Sequence, residues 1–267
     1  MTTPVIETAR RRYSLVVSSD RAHRLAAQRL RYDVFASEPG FRFPPNDLGL
    51  DEDRFDPYCD HLLVRDDITE QFVGCYRMLP PDGAIAAGGY YTESEFDISA
   101  LADLRPHLVE LGRACVLPDH RNGSVVPLMW TGVLRYMRLT GHAWLMGCVS
   151  VPMRTNPANP AGSEVRGVRD LVLARHASAQ DRRVKPHRPV IVDDKSLDEL
   201  PVPSGLRLPP LMNAYLRMGA SICGEPSHDP DFGVADFVAL VGRDEVNERY
   251  LLRLQAAAAK LEEMSSR

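Results

Sequence analysis

Val109-Glu110-Leu111-Gly112-Arg113-Ala114-Cys115-Val116-Leu117-Pro118-Asp119-His120-Arg121-Asn122-Gly123-Ser124 decides the fold. Residues 109–116 read as a buried strand that carries one carboxylate and one guanidinium among apolar neighbours. Pro118 marks a turn, a short polar loop holds a single glycine, and an apolar helix follows through Val125, Val126, Leu128, Met129, Trp130, Val133, Leu134 and Met137. That helix is predicted to run to about Leu139, with Gly141 as its stop. Residues 143–151 (AWLMGCVSV) form a continuous apolar run, a second buried strand. Strand, helix and strand at this spacing predict a βαβ unit with parallel strands. The free N–H groups and dipole of the helix start favour an anion. Arg121, Asn122, Gly123 and Ser124 are therefore candidate phosphate contacts, although strand–loop–helix junctions with one glycine are common.

Working outward, residues 1–12 read as a loose arm and 13–18 (YSLVVS) as a first strand. Ser18, Ser19 and Asp20 offer N-caps to a helix with Ala22, Ala26, Leu30 and Val34 in one stripe, stopped at Glu38-Pro39-Gly40. Residues 41–58 are rich in Pro, Asp and Gly and predict a long loop; loops of that length inside a domain tend to be functional. Residues 61–65 and 72–79 predict a hairpin, and 80–108 a loop region with a short helical segment near Ser99 to Leu104. The stretch of about 154–205 reads as a helical and proline-rich insertion, with too few apolar residues for a core of its own. Pro209-Pro210-Leu211 opens a helix stopped by Gly219; Ser221 to Gly224 and Asp236 to Val241 are the last strands. An acidic loop lies between them, and a terminal amphipathic helix (244–267) carries Val246, Tyr250, Leu254, Leu261 and Met264 on one stripe.

A length of 267 residues fits one large domain, and a net charge of −4 makes the chain a poor candidate for general nucleic-acid binding. Arg10-Arg11-Arg12 and Arg182-Arg183 with Lys185 read as solvated surface that would still attract an acidic carrier. The cysteines Cys59, Cys75, Cys115, Cys148 and Cys223 are scattered and lack CxxC spacing, which argues for a reducing compartment and against disulfides or zinc. No run approaches the roughly 18 apolar residues of a membrane span. The expectation is a cytoplasmic protein, with peripheral contact at the inner membrane face left open.

Glu110 in an apolar strand is costly unless paired or used. It reads either as a general base for an attacking amine or as half of an ion pair with Arg113, Arg77 or Arg31. Three residues apart on a strand, Glu110 and Arg113 should face opposite ways. Asp51, Asp53, Asp56 and Asp60 with His61 read first as a solvated or structural cluster, second as amine recognition, and last as a metal site, since the EF-hand spacing is absent. Glu225, Asp229 and Asp231 raise the same choice. No GxSxG or GxGxxG motif is present, and Cys115 and Cys148 read as core residues before acyl nucleophiles.

With these segments in view, the chain resembles the GNAT acyltransferase superfamily, and within it the ornithine–acyl carrier protein N-acyltransferases. These are relatives of acyl-homoserine lactone and N-acyl amino acid synthases. The resemblance rests on Arg31-Tyr32-Asp33-Val34-Phe35, Asp53-Arg54-Phe55-Asp56, Cys59-Asp60-His61-Leu62-Leu63-Val64 and Gly74-Cys75-Tyr76-Arg77-Met78-Leu79. It continues through Gly89-Tyr90-Tyr91, Glu110 to Val116, Met129-Trp130, Pro209-Pro210-Leu211, Tyr215 to Ala220, Cys223 to Pro226, Asp231-Phe232 and Asp236-Phe237. It covers about residues 15–243.

The resemblance implies an α/β (α+β) GNAT domain over 13–243: a strongly bent mixed sheet flanked by helices and splayed between two central parallel strands. It implies direct attack of an amino-acid α-amine, ornithine-like, on a fatty acyl thioester. The catalytic candidates are Glu110, Arg113 and the backbone of Cys115. The acyl-donor or phosphopantetheine contacts would be Val116, Leu117, Arg121, Asn122, Gly123 and Ser124. The amine-substrate contacts would be Arg31, Phe35, Asp53, Asp56 and Arg77. No permanently bound cofactor and no metal are expected. The phosphopantetheine of an acyl carrier protein is the expected co-substrate, since Arg121-Asn122-Gly123-Ser124 lacks the second glycine of a coenzyme A pyrophosphate loop. The alternatives are an acyl- or acetyl-coenzyme A enzyme, a lactone-forming signal synthase, and a non-catalytic carrier- or lipid-binding protein. Oligomeric state is not readable.

Overall fold

The computed structural model describes residues 12–38, 47–121, 123–203 and 205–265, without the side chains of 254 and 258–265. The main sheet has eight strands: β1 (Tyr13–Ser18), β2 (Asp60–Asp66), β3 (Phe72–Leu79), β4 (Leu108–Val116), β5 (Trp144–Pro152), β6 (Ser221–Ile222), β7 (Ser227–Asp229) and β8 (Val234–Gly242). The helices are α1 (Arg21–Ser37), α2 (Pro81–Ala86), α3 (Val125–Thr140), α4 (Ser163–His176), α5 (Pro210–Arg217) and α6 (Glu248–Ser265). The strand order is β1-β2-β3-β4-β5-β8-β6, with β7 also on β8. Every pairing is antiparallel except β4 with β5. This is the expected βαβ unit, set in a mixed sheet.

The parallel pairing is short. It joins Leu108 to Trp144, Val109 to Leu145 and Glu110 to Met146, and goes no further. Beyond Glu110, β4 stays with β3 as far as Val116, and β5 stays with β8 as far as Pro152. The sheet therefore forks at its centre. The fork begins tightly: a Cβ on Gly147 would lie 2.5 Å from the Leu111 carbonyl oxygen.

One face of the sheet is covered by α1, whose Ala27, Leu30 and Val34 pack with Leu63, Cys75 and Cys115. The other is covered by α3, with Met129, Trp130, Val133 and Met137 against Leu62, Tyr76, Met78, Val109 and Leu111. α6 lies along α3: Gln255 Nε2 donates to Thr131 Oγ1 at 2.6 Å, and Val246, Tyr250 and Leu251 join the same core. Of the expected stripe, Leu254, Leu261 and Met264 lie outside the described side chains.

Several elements differ from the reading of the sequence. Residues 80–108 contain α2, started by Pro81 and Asp82 in its first turn, and a 3-10 stretch over Ser99–His107. The acidic loop after Gly224 contains β7, whose Ser227 sits opposite Asp236. The terminal helix starts at Glu248, after a separate turn at Arg243–Glu245, and not near Asp244. The region 154–205 shares the main core through Val165, Val168, Val172, Val190, Leu197 and Leu200, as a segment too poor in apolar residues for its own core must. Residues 1–11 lie outside the described residues, and Arg12 is pinned to Asp66 at 3.0 Å. No helix among the described residues is long and apolar enough to cross a membrane.

The close approach at the fork predicts that Gly147→Ala lowers stability by about 1–3 kcal/mol, because the added methyl meets backbone that cannot rotate away. Thermal unfolding of the two proteins measures it.

Candidate active site

α1 carries Arg31 inward from its apolar stripe, into the loop before β2. Arg31 has no exposed surface. Its Nε donates to Asp51 Oδ2 at 2.7 Å, and its two Nη atoms donate to Asp56 at 2.9 and 2.8 Å. Gln28, one turn earlier, donates to Asp56 Oδ2 at 2.9 Å. From β3, Arg77 Nη1 reaches Asp53 at 2.6 Å and Asp56 at 3.1 Å. From β4, Arg113 stands 3.5 Å from Asp51 and 3.6 Å from Asp53. The three carboxylates thus meet three guanidiniums, and the cluster is neutral as a whole. Burial opposes ionisation of Asp56, yet Arg31 and Arg77 override it and hold its carboxyl far below the usual range. Asp53 is lowered against the same burial cost, by Arg77 first.

Arg113 does not face away from Glu110, as alternation predicts. Between the pairs Gly112–Arg77 and Cys115–Cys75, β4 has two residues where β3 has one. This is a β-bulge, and Arg113 within it has φ of 53°. The bulge returns the side chain to the face where Arg77 lies. Its guanidinium stands 5.9 Å from the centre of the Tyr91 ring, and its Nε is buried without a hydrogen-bond partner.

Glu110, the last residue of the parallel ladder, is 5% exposed. Its carboxylate accepts the N–H groups of Tyr91 and Thr92, both at 2.7 Å, and the Thr92 hydroxyl. No Arg forms an ion pair with it among the described residues; its partners are the turn Tyr91–Ser94, which the sequence reading did not place in the site. Gly89-Tyr90-Tyr91 was the available signal, as a glycine-led aromatic pair in a loop. Burial pushes the Glu110 pKa up, against the pull of Thr92, Tyr91 and Arg77.

The remaining candidates are dispersed. Phe35 and Leu117 pack at the edge of the α1 cluster with Cys115, outside the charged network. Val116 closes β4 and belongs to the core under α3. Arg121 Nε donates to the Val116 carbonyl at 3.0 Å, and its Nη2 pairs with Glu38. Asn122 lies outside the described residues. Gly123 has φ of 93°, and Ser124 stands at the N-cap of α3. Burial pushes the Cys148 thiol well up; for Cys115 the contact with Cys75 does so first and burial second. Neither is poised as a nucleophile.

On the opposite side of the fork, an apolar recess is lined by Leu111, Trp130, Gly147, Tyr215, Met218 and Val241 among others. A sheet that parts between its parallel strands, with charge on one face and an apolar recess on the other, defines the GNAT class of acyltransferases. Residues 30–131 match the family model described as an acetyltransferase (GNAT) domain. The chain is 33% identical over 249 residues to the L-ornithine N(alpha)-acyltransferase of Brucella abortus (strain 2308), covering 88% of this chain and 86% of that protein. It is 33% identical over 243 residues to the enzyme of the same name from Rhizobium meliloti (strain 1021), covering 85% and 78%. In fold it is similar to the coenzyme A-dependent acyl-homoserine lactone synthase BjaI, with a TM-score of 0.50, 14% identity and coverage of 92% and 88%. The chain belongs to the L-ornithine N(alpha)-acyltransferase family and is an N-acyltransferase.

Arg31 sits beneath the site and ties α1 to the loop that aligns Arg77 and Arg113. Arg31→Met should cost about 3–5 kcal/mol, since it strands buried carboxylates. The Asp53 and Asp56 pKa values are depressed, so their contribution is complete above the unfolded value of about 3.9 and fades as pH falls below it. Wild-type stability should fall through that window, with a shallower slope in Arg31→Met, measured by denaturant unfolding between pH 2.5 and 6.

Proposed function

We propose that the enzyme transfers a fatty acyl group from the phosphopantetheine thioester of an acyl carrier protein to the α-amine of an ornithine-like amino acid. The fork carries this reading: Glu110 and Arg113 stand on one face at the point where β4 and β5 part, and the apolar recess opens on the other. The acyl chain occupies that recess, the thioester lies in the fork, and the amine comes from the charged face.

Glu110 takes a proton from the α-ammonium, directly or through one water. The free amine then forms the N–C bond, the C–S bond breaks, and the thiol leaves with a proton. Backbone N–H groups near Cys115 polarise the thioester carbonyl, a role that the break in pairing at the bulge supports. Arg113, with 20% of its side chain exposed and only long contacts to Asp51 and Asp53, is the cation available to the substrate carboxylate. The phosphate of the carrier arm lies at the start of α3, by Arg121, Gly123 and Ser124. Arg121 must leave Glu38 to reach it. The short loop with one glycine fits a single phosphate better than a pyrophosphate.

Thiol release from acyl carrier protein and from acyl-coenzyme A, each with a panel of amino acids, tests the reading. Turnover is expected with the carrier donor and ornithine-like acceptors. Carrier binding with no turnover for any pair overturns it.

Glu110 acts as base in its ionised form, so kcat/KM should rise with pH through its raised pKa. Glu110→Gln should lower kcat by about 10²–10⁴-fold and remove that limb. Ala220→Leu, which fills the recess, should shift the ratio of long- to short-chain acyl transfer toward short chains. Both are read in the same thiol-release assay.

A further inference from the structure

A second set of carboxylates lies across the fork from the arginine-bound one. Glu95 follows the turn that holds Glu110, Asp229 ends β7, and Asp236 lies on β8 beside Ser150 of β5. They are 3%, 6% and 4% exposed. One oxygen from each lies within 4.8 Å of the others. Ser150 Oγ donates to Asp236 Oδ1 at 2.6 Å, and Asp229 Oδ1 accepts the N–H groups of Asp231 and Phe232. Both Glu95 oxygens are buried with no partner at hydrogen-bond distance, and the Tyr91 and Asp236 side chains are the polar groups that act on them. No Lys or Arg stands at ion-pair distance from any of the three among the described residues, although the Arg113 charge is felt at Asp236.

Buried carboxylates without a counter-ion are expensive, and the cost is relieved by taking up a proton or by the arrival of a cation. We propose that Glu95, Asp229 and Asp236 form the pocket for the side-chain ammonium of a dibasic amino-acid acceptor. This deepens the amino-acid acylation reading and rests on it.

The position supports the assignment. Cys148 on β5 lies in the field of Glu95, Asp236 and Glu110 together, so the cluster and Glu110 share one neighbourhood. Tyr91 links them: its N–H holds Glu110, its ring faces Arg113, and Glu95 follows in the same turn. In this assignment the α-amine of the acceptor lies at Glu110 and its second ammonium at the carboxylates. The stoichiometry also fits. An ammonium has three N–H donors, one for each carboxylate. Burial first, and mutual repulsion with Asp236 second, hold the Glu95 pKa well above the usual range, as expected where the cation is supplied from outside.

The test compares kcat/KM for ornithine with that for norvaline, which has the same chain without the terminal ammonium. The wild type should favour ornithine by about 100-fold or more, and Glu95→Gln and Asp236→Asn should each reduce that ratio at least about tenfold, mainly through KM. Variants that acylate ornithine and keep the wild-type ratio overturn the assignment and leave the acyltransferase reading intact. A wild type that acylates no amino acid overturns that reading instead; the pocket is then decided by calorimetric titration of the wild-type protein. Tighter binding of ornithine than norvaline supports the pocket. Equal binding, or saturable binding of Mg²⁺, Ca²⁺ or Mn²⁺ alone that Glu95→Gln abolishes, overturns it.

Discussion

Three residue pairs, Leu108–Trp144, Val109–Leu145 and Glu110–Met146, are all that hold the two halves of the sheet together at its centre. Buried backbone donors and acceptors must find partners, so strands that part inside a sheet do so only where something else fills the gap. Here β3 and β8 complete the outer edges of β4 and β5, while their inner edges diverge from Gly147 onward. The cleft is thus a consequence of ladder length. α3 borders the opening through Trp130, and its start is fixed against β3, where a Cβ at Gly74 would come within 2.8 Å of Val125.

The site is then a matter of which side chains the fork exposes. Regular alternation would place Glu110 and Arg113 on opposite faces. One extra residue in β4 brings them to the same one, at the cost of a left-handed backbone at a non-glycine residue. Arg31 supports the arrangement from below. It fixes Asp51 and Asp56, these with Asp53 align Arg77 and Arg113, and the charges balance inside the protein. Arg31 is thereby wholly engaged inside the protein, while Arg113 retains exposed surface.

Much of this was legible in the sequence, and the failures have physical causes. Long apolar periodicities located β4, α3 and β5 to within a residue at each end, because each buries a full face. The βαβ spacing then gave parallel strands. Short elements such as α2 and β7 were missed, since their stability comes from neighbours and not from local pattern. The bulge at Arg113 could not be read, because two-to-one pairing depends on the partner strand. The same limit hid Thr92 and Glu95, which come to the site through a 3-10 turn with no periodic signal. Arg31, Phe35, Asp53, Arg77, Glu110 and Arg113 were grouped by motif resemblance, while their individual burial and pairing, including the place of Phe35 in the apolar cluster under α1, required the fold.

The two acidic clusters show why residue type alone does not assign a role. Asp51, Asp53 and Asp56 are crowded together, as are Glu95, Asp229 and Asp236, and burial opposes ionisation in both. In the first, guanidiniums from α1, β3 and β4 arrive within hydrogen-bond or ion-pair distance, and the Asp53 and Asp56 pKa values fall. In the second the like charges face one another, and those of Glu95 and Asp236 rise. The first cluster has its cations built in, so it serves as framework. The second has the same need and no ion-paired cation among the described residues. A difference in counter-ions, set by which strands carry arginine, separates two clusters that residue type alone would make alike.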